Sequence, residues 1–176
     1  MLKRIGNKLQ ENKLYCLTFI IGIIIISIIY RLNHVTPFGP QSLLCVDFFH
    51  QYGPMLGEFY DRIQNFSGFT YSFNMAMGLP FFRNFLNYLS SPFNIIMLFF
   101  SRKNLLTSYS FIIGLKAVVS GVTMVYYLSK KFESKGLFLI PIAIFYAFQA
   151  YFQAYYWNIM WLDGMVFLPL ITLGIE

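Results

Sequence analysis

Residues 14–30 contain no charged side chain, and the stretch 20–29 is isoleucine apart from Gly22 and Ser27. Such a run has no place on a soluble surface. Crossing hydrocarbon takes about 20 mostly apolar residues in a helix. In a bilayer the backbone must satisfy its own hydrogen bonds, which leaves helices and closed barrels, and continuous rather than alternating apolarity selects the helix. Similar runs follow at 105–129, 136–156 and 160–175. Only 11% of residues are charged and 57% are hydrophobic, against roughly 25% charged in soluble domains. The expected fold class is all-α, a polytopic transmembrane helix bundle.

The net charge of +6 does not point to nucleic acid. Lys3, Arg4, Lys8 and Lys13 precede the first apolar run, and Lys130, Lys131 and Lys135 separate two later ones. Basic clusters that flank spans mark cytoplasmic ends. That rule gives a cytoplasmic N-terminus over 1–13, a first span over 14–32 and an outer loop over 33–104. A second span covers 105–129, a cytoplasmic loop 130–135 and a third span 136–156, and residues 157–176 hold an outer turn and the start of a fourth. The first span is long for a signal peptide and no small-residue cleavage pattern follows it, so it reads as an uncleaved anchor. Cys16 and Cys45 lie at opposite ends of that span and have no metal-ligand spacing.

The apolar piece 92–100 is about half the spanning length and is closed by Arg102-Lys103. As a full span it would place Lys130-Lys131 outside, so it is expected to be a short interfacial or re-entrant helix. Upstream, 47–66 separates cleanly when projected at about 100° per residue. Asp47, His50, Gln51, Pro54, Glu58, Asp61, Arg62 and Asn65 share one side. Phe48, Phe49, Tyr52, Met55, Leu56, Phe59, Tyr60, Ile63 and Phe66 share the other. That pattern predicts an interfacial amphipathic helix, kinked or restarted at Gly53-Pro54.

Four carboxylates and one lysine stand out. Asp47 begins the amphipathic helix, where a carboxylate can cap free N–H groups or act as a base toward an attacking hydroxyl. Spacing leaves both readings open. Glu58 and Asp61, with Arg62, read as a hydrated face with an internal ion pair. Lys116 falls in the middle of the 105–129 span, where a charge costs about 2.5–3.5 kcal/mol. It must face protein or a wet cavity, holding a phosphate or a carboxylate or pairing within the bundle. Asp163, in Trp161-Leu162-Asp163-Gly164, arrives in the outer turn on the same side as Asp47. Two such carboxylates could divide the roles of base and divalent-cation ligand. His34 and His50 belong to no metal-spaced set.

Taken together, Asp47 with His50-Gln51-Tyr52-Gly53-Pro54, Gly78-Leu79-Pro80, Tyr88-Leu89-Ser90-Ser91-Pro92-Phe93-Asn94, Leu115-Lys116, Asn158-Ile159-Met160-Trp161-Leu162-Asp163, Pro169-Leu170 and Leu173-Gly174-Ile175-Glu176 resemble the start of the bacterial YfhO family. That family resembles the GT-C glycosyltransferases. The resemblance implies a GT-C-like N-terminal part with juxtamembrane helices in the first outer loop. It implies sugar transfer from a polyprenyl-phosphate donor to a cell-envelope polymer such as lipoteichoic acid, outside the bacterial cytoplasmic membrane. Asp47 matches the position of a catalytic aspartate, Asp163 is its candidate partner, and His50, Gln51, Tyr52 and Lys116 are candidate substrate-binding residues. Family members are several-fold longer, so the chain is expected to be an N-terminal fragment whose active site would need later helices. Two other readings stay open: a transporter or flippase of lipid-linked cargo, marked by broken helices, and a non-catalytic truncated membrane protein.

Overall fold

The computed structural model describes residues 2–75 and 77–176, with the side chains of 2–11 outside the description. The basic side chains of Lys3, Arg4 and Lys8 therefore lie outside the described residues. The described chain is helical, with two isolated β-bridges and no strand. Its elements are α1 (Leu2–Leu32), a π-helical turn Phe48–Tyr52, α2 (Gly53–Gln64), α3 (Phe81–Asn84) running into a second π-helical turn Phe85–Leu89, and 3₁₀ helices Pro92–Phe99 and Arg102–Asn104. They continue with α4 (Leu105–Lys131), α5 (Leu139–Ala147), α6 (Ala150–Tyr155) and α7 (Leu162–Ile175). Asn12–Leu32 and Arg102–Lys131 are long and apolar enough to cross a membrane.

α4 is the hub. Its apolar window is 56% buried against 28% for that of α1, and α1, α5 and α7 all pack on it. α1 runs antiparallel to it: the hydroxyls of Tyr15 and Ser129 lie 3.2 Å apart at one end, and the Tyr30 hydroxyl donates to the Ser110 carbonyl at 2.8 Å near the other. Small residues allow the approach. A Cβ on Gly22 would come within 3.1 Å of Val118, and one on Gly121 within 3.3 Å of Ala147.

α7 is parallel to α4. Asp163 at its start pairs with Lys116, and Glu176 just past its end pairs with Lys131 at 2.7 Å. Those pairs are separated by 15 residues on α4 and 13 on α7, roughly 22 and 20 Å at about 1.5 Å per residue. Pro169 lies inside α7 and, lacking an N–H, leaves the Met165 carbonyl without its usual helical donor. The Tyr146 hydroxyl supplies that bond at 2.8 Å.

The continuous span expected over 136–156 is two helices. Gln149 is extended (φ −62°, ψ 169°), so the hydrogen-bond ladder stops at Ala147 and restarts at Ala150. The piece 92–100 forms the 3₁₀ helix Pro92–Phe99 beside α4, with Phe93 at the level of Lys116 and Phe100 against Phe111, ring centroids 5.4 Å apart. The amphipathic segment divides at Gly53 as its Gly-Pro pair predicts. Its first part is a π-helical turn closed by the Gly53 N–H on the Phe48 carbonyl. The wider turn rotates the register: Phe48, Tyr52, Leu56, Phe59 and Tyr60 enter the core, whereas Phe49 stays 57% exposed.

Candidate functional site

Three distant segments meet at the middle of α4. Lys116, only 1% exposed, projects its ammonium 2.9 Å from Asp163 Oδ1 and donates to the Ile159 carbonyl at 2.7 Å. The face of Phe93 lies 5.6 Å from the same nitrogen, a cation–π distance. Asp163 Oδ1 also accepts the Ser91 hydroxyl at 3.1 Å. Standing in the first turn of α7, the carboxylate gains further from the helix dipole. A buried ammonium is thus met by a carboxylate, a carbonyl and a ring face, as a charge out of water requires.

One residue before Ile159, buried Asn158 accepts the Tyr52 hydroxyl on Oδ1 at 3.1 Å. Tyr52 closes the π-helical turn that begins after Asp47, and its ring lies 5.9 Å from Tyr88. Burial raises the Tyr52 phenol above its ordinary pKa, and the charge of Asp47 and then Tyr88 raise it further. At the start of the 156–163 turn the Tyr156 hydroxyl lies 3.3 Å from the Cys45 thiol.

Asp47 occupies the position before the π-helical turn, but its side chain makes no capping bond, and it is exposed. His50 and Gln51, one turn on, line a cavity of about 900 Å³ between the polar side of α2 and the segment 67–88. Glu58, Asp61, Arg62 and Asn65 continue that wall, and Asn74, Asn84, Tyr88 and Arg102 face them. Arg62 grips Glu58 Oε1 through Nε (2.9 Å) and Nη2 (2.7 Å). It also donates to the carbonyls of Gly68 and Tyr71 and stacks over Phe81 at 4.3 Å. Arg102 pairs with Asp61 at 2.7 Å. Two arginines and two carboxylates balance, so the wall is polar without a net charge when His50 is neutral.

The family model described as bacterial membrane protein YfhO matches residues 18–176. The chain belongs to the YfhO family. No curated protein and no solved structure matches it. The YfhO match runs from within α1 to the last residue and so takes in every residue of the Lys116 cluster and of the cavity wall.

In this YfhO chain the tertiary structure joins Lys116 to Asp163 and Tyr52 to the turn before Asp163. No hydrogen bond or ion pair among the described residues joins Asp47 to either Asp163 or Lys116. Glu58, Asp61 and Arg62, read from sequence as a hydrated face with an internal ion pair, hold that pair between Arg62 and Glu58 and line the cavity. Ser91 and Asn158 lay inside the quoted family motifs, but nothing in their spacing identified their partners. Arg102 was read only as closing the 92–100 piece and Asn84 gave no signal, because the contacts that bring them to the cavity cross the loop. Among the described residues no three His, Cys, Asp or Glu side chains are grouped to hold a metal ion. Asp163 already faces an ammonium and a hydroxyl donor. The donor set seen here does not fit a divalent cation.

Proposed function

We propose that this YfhO chain forms the N-terminal part of a GT-C-like membrane glycosyltransferase. The enzyme would be a multi-pass protein of the bacterial cytoplasmic membrane with its N-terminus in the cytoplasm. It would transfer a sugar from a polyprenyl-phosphate donor to an extracytoplasmic envelope polymer such as lipoteichoic acid. The observation that supports this reading is the free carboxylate of Asp47: it stands where a cap would stand, caps nothing, and leads directly into His50 and Gln51 on the cavity wall. The capping alternative therefore loses its support.

In the reaction, the acceptor hydroxyl attacks the anomeric carbon, its proton passes to Asp47, and the polyprenyl phosphate departs with the bonding electron pair. His50 and Gln51 orient the acceptor through hydrogen bonds. Because the phosphate is already a good leaving group, positioning and charge stabilisation supply most of the remaining acceleration. The test compares envelope-polymer glycosylation by full-length wild type and Asp47→Asn at matched expression. A general base contributes about 10²–10⁴-fold, and unchanged transfer by the variant would sink the assignment.

A second reading, a transporter or flippase of lipid-linked cargo, gains support from the break between α5 and α6 and from the buried charge of Lys116 at mid-α4. It expects Asp47→Asn to leave polymer glycosylation by reconstituted protein absent in both forms while lipid translocation persists.

A further inference from the structure

Lys116 holds the turn between α6 and α7 at two points four residues apart, the Ile159 carbonyl and the Asp163 carboxylate. Between the α6 end and those points sits Asn158, whose Oδ1 accepts the Tyr52 hydroxyl. Tyr52 in turn ends the short element that presents Asp47, His50 and Gln51. The Ser91 hydroxyl brings in a third segment through Asp163 Oδ1. Hydrogen bonds and an ion pair join the segments, the backbone carries the path within each one, and Tyr52, Lys116, Asn158 and Ile159 are 6% exposed or less.

We infer that Lys116 is a positioning residue: the pair of its buried ammonium with Asp163 clamps the 156–163 turn, and through Asn158 and Tyr52 it sets where Asp47 stands beside the cavity wall that His50 lines. Asp163 is then the counter-ion of the clamp, with its Oδ1 committed to it. Its Oδ1 is shared by an ammonium and a hydroxyl, and proton abstraction at that oxygen would first have to break both contacts. A buried ion pair is a poor source of net stability compared with apolar packing, but it punishes any arrangement that separates the charges. Here that penalty falls on misplacement of three segments at once. Lys116 has no such reason to be charged if it only fills space in an apolar helix.

The native thiol of Cys45 reports on the clamp without any assumption about activity, since it lies against Tyr156 at the start of the same turn. In full-length protein carrying Cys16→Ser, maleimide labelling of Cys45 is followed in detergent micelles. Lys116→Met is expected to speed labelling at least tenfold. The charge swap Lys116→Asp with Asp163→Lys is expected to bring the rate back to within about threefold of the parent. Unchanged labelling in Lys116→Met, or a swap as fast as the single variant, overturns the clamp. Where Lys116→Met does not give a folded protein, the swap alone decides, and an unfolded or unprotected swap overturns it too.

The activity arm rests on the glycosyltransferase reading and adds a second readout. Lys116→Met should lower kcat at least tenfold with KM changed by less than threefold, because it acts on the placement of Asp47 and not on a substrate contact. The swap should recover most of kcat. A swap that restores thiol protection but no transfer would show that a carboxylate is needed at position 163, which overturns the counter-ion assignment. Absence of transfer by the wild type would defeat the glycosyltransferase reading and leave the thiol result to judge the clamp.

Discussion

The Tyr52 hydroxyl donates to Asn158 Oδ1 at 3.1 Å, across 106 residues of sequence. Both residues are at least nine-tenths buried. This bond ties the element that presents Asp47 to the turn that presents Asp163. Tyr52→Phe removes the donor and leaves a buried amide oxygen unmet, a loss of about 1–3 kcal/mol. It should appear as a lower unfolding midpoint in detergent. Paired with Asn158→Leu, the two losses should be non-additive by about 0.5–3 kcal/mol. Strict additivity would mean that the bond is absent in solution.

Arg62 organises the far wall of the cavity, binding Glu58, the Gly68 and Tyr71 carbonyls and the face of Phe81. Its side chain and that of Glu58 are 14% and 10% exposed. Breaking a buried pair costs about 3–5 kcal/mol, so Arg62→Ala should accelerate amide hydrogen exchange in 67–72 by on the order of a hundredfold. Arg62→Lys should fail to restore protection, because an ammonium cannot reproduce the planar fork or the stacking. Full protection in Arg62→Lys would show that charge alone suffices.

The Asp61–Arg102 pair should behave in the opposite way. Its side chains are 43% and 59% exposed, and exposed pairs contribute about 0–1 kcal/mol. Asp61→Asn should shift the unfolding midpoint only slightly, and the shift should shrink further with added salt. A large, salt-insensitive loss would place this pair in a drier setting than its exposure indicates.

Helix contacts at α4 give a steric test. A side chain at Gly121 meets the Ala147 methyl at 3.3 Å and the Ala143 carbonyl at 3.6 Å, whereas nothing lies within 4 Å of Gly174. Gly121→Val should cost about 1–3 kcal/mol by overpacking, and Gly174→Ala should stay within about 0.5 kcal/mol of the parent. Equal stabilities for the two variants would mean that α4 and α5 do not pack this closely.

The proposed orientation is checked by thiol labelling in intact cells. In a cysteine-free background, Lys103→Cys should react with an impermeant reagent from outside, and Lys135→Cys only after the membrane is opened. Labelling of both from one side would make 92–100 a true crossing or reverse the charge rule.

Helical character, the long apolar runs and the Gly53-Pro54 division were readable in the chain because each depends on residues a turn or two apart. Hydrogen-bonded helices form wherever apolar length allows, and a Gly-Pro pair interrupts them locally. The break at Gln149 was not readable, since one polar residue in an aromatic run carries no distinct periodic signal. The π-helical turn was missed for a related reason: a 100° projection assumes a constant pitch, which the turn Phe48–Tyr52 does not keep.

Lys116 illustrates the boundary well. Its place in an apolar helix already required a partner, because an isolated ammonium there is too costly to leave unmet. Which partner it takes depends on α7 lying parallel to α4, so that Asp163 arrives 47 positions later at the same height. The same holds for the polar side of α2. Amphipathic spacing separates Glu58, Asp61 and Arg62 from the aromatic residues, but only the return of 67–88 across that face makes a cavity of it. Short-range periodicity is written in the chain, whereas the pairing of charges and the closing of cavities depend on how distant segments are brought together by packing.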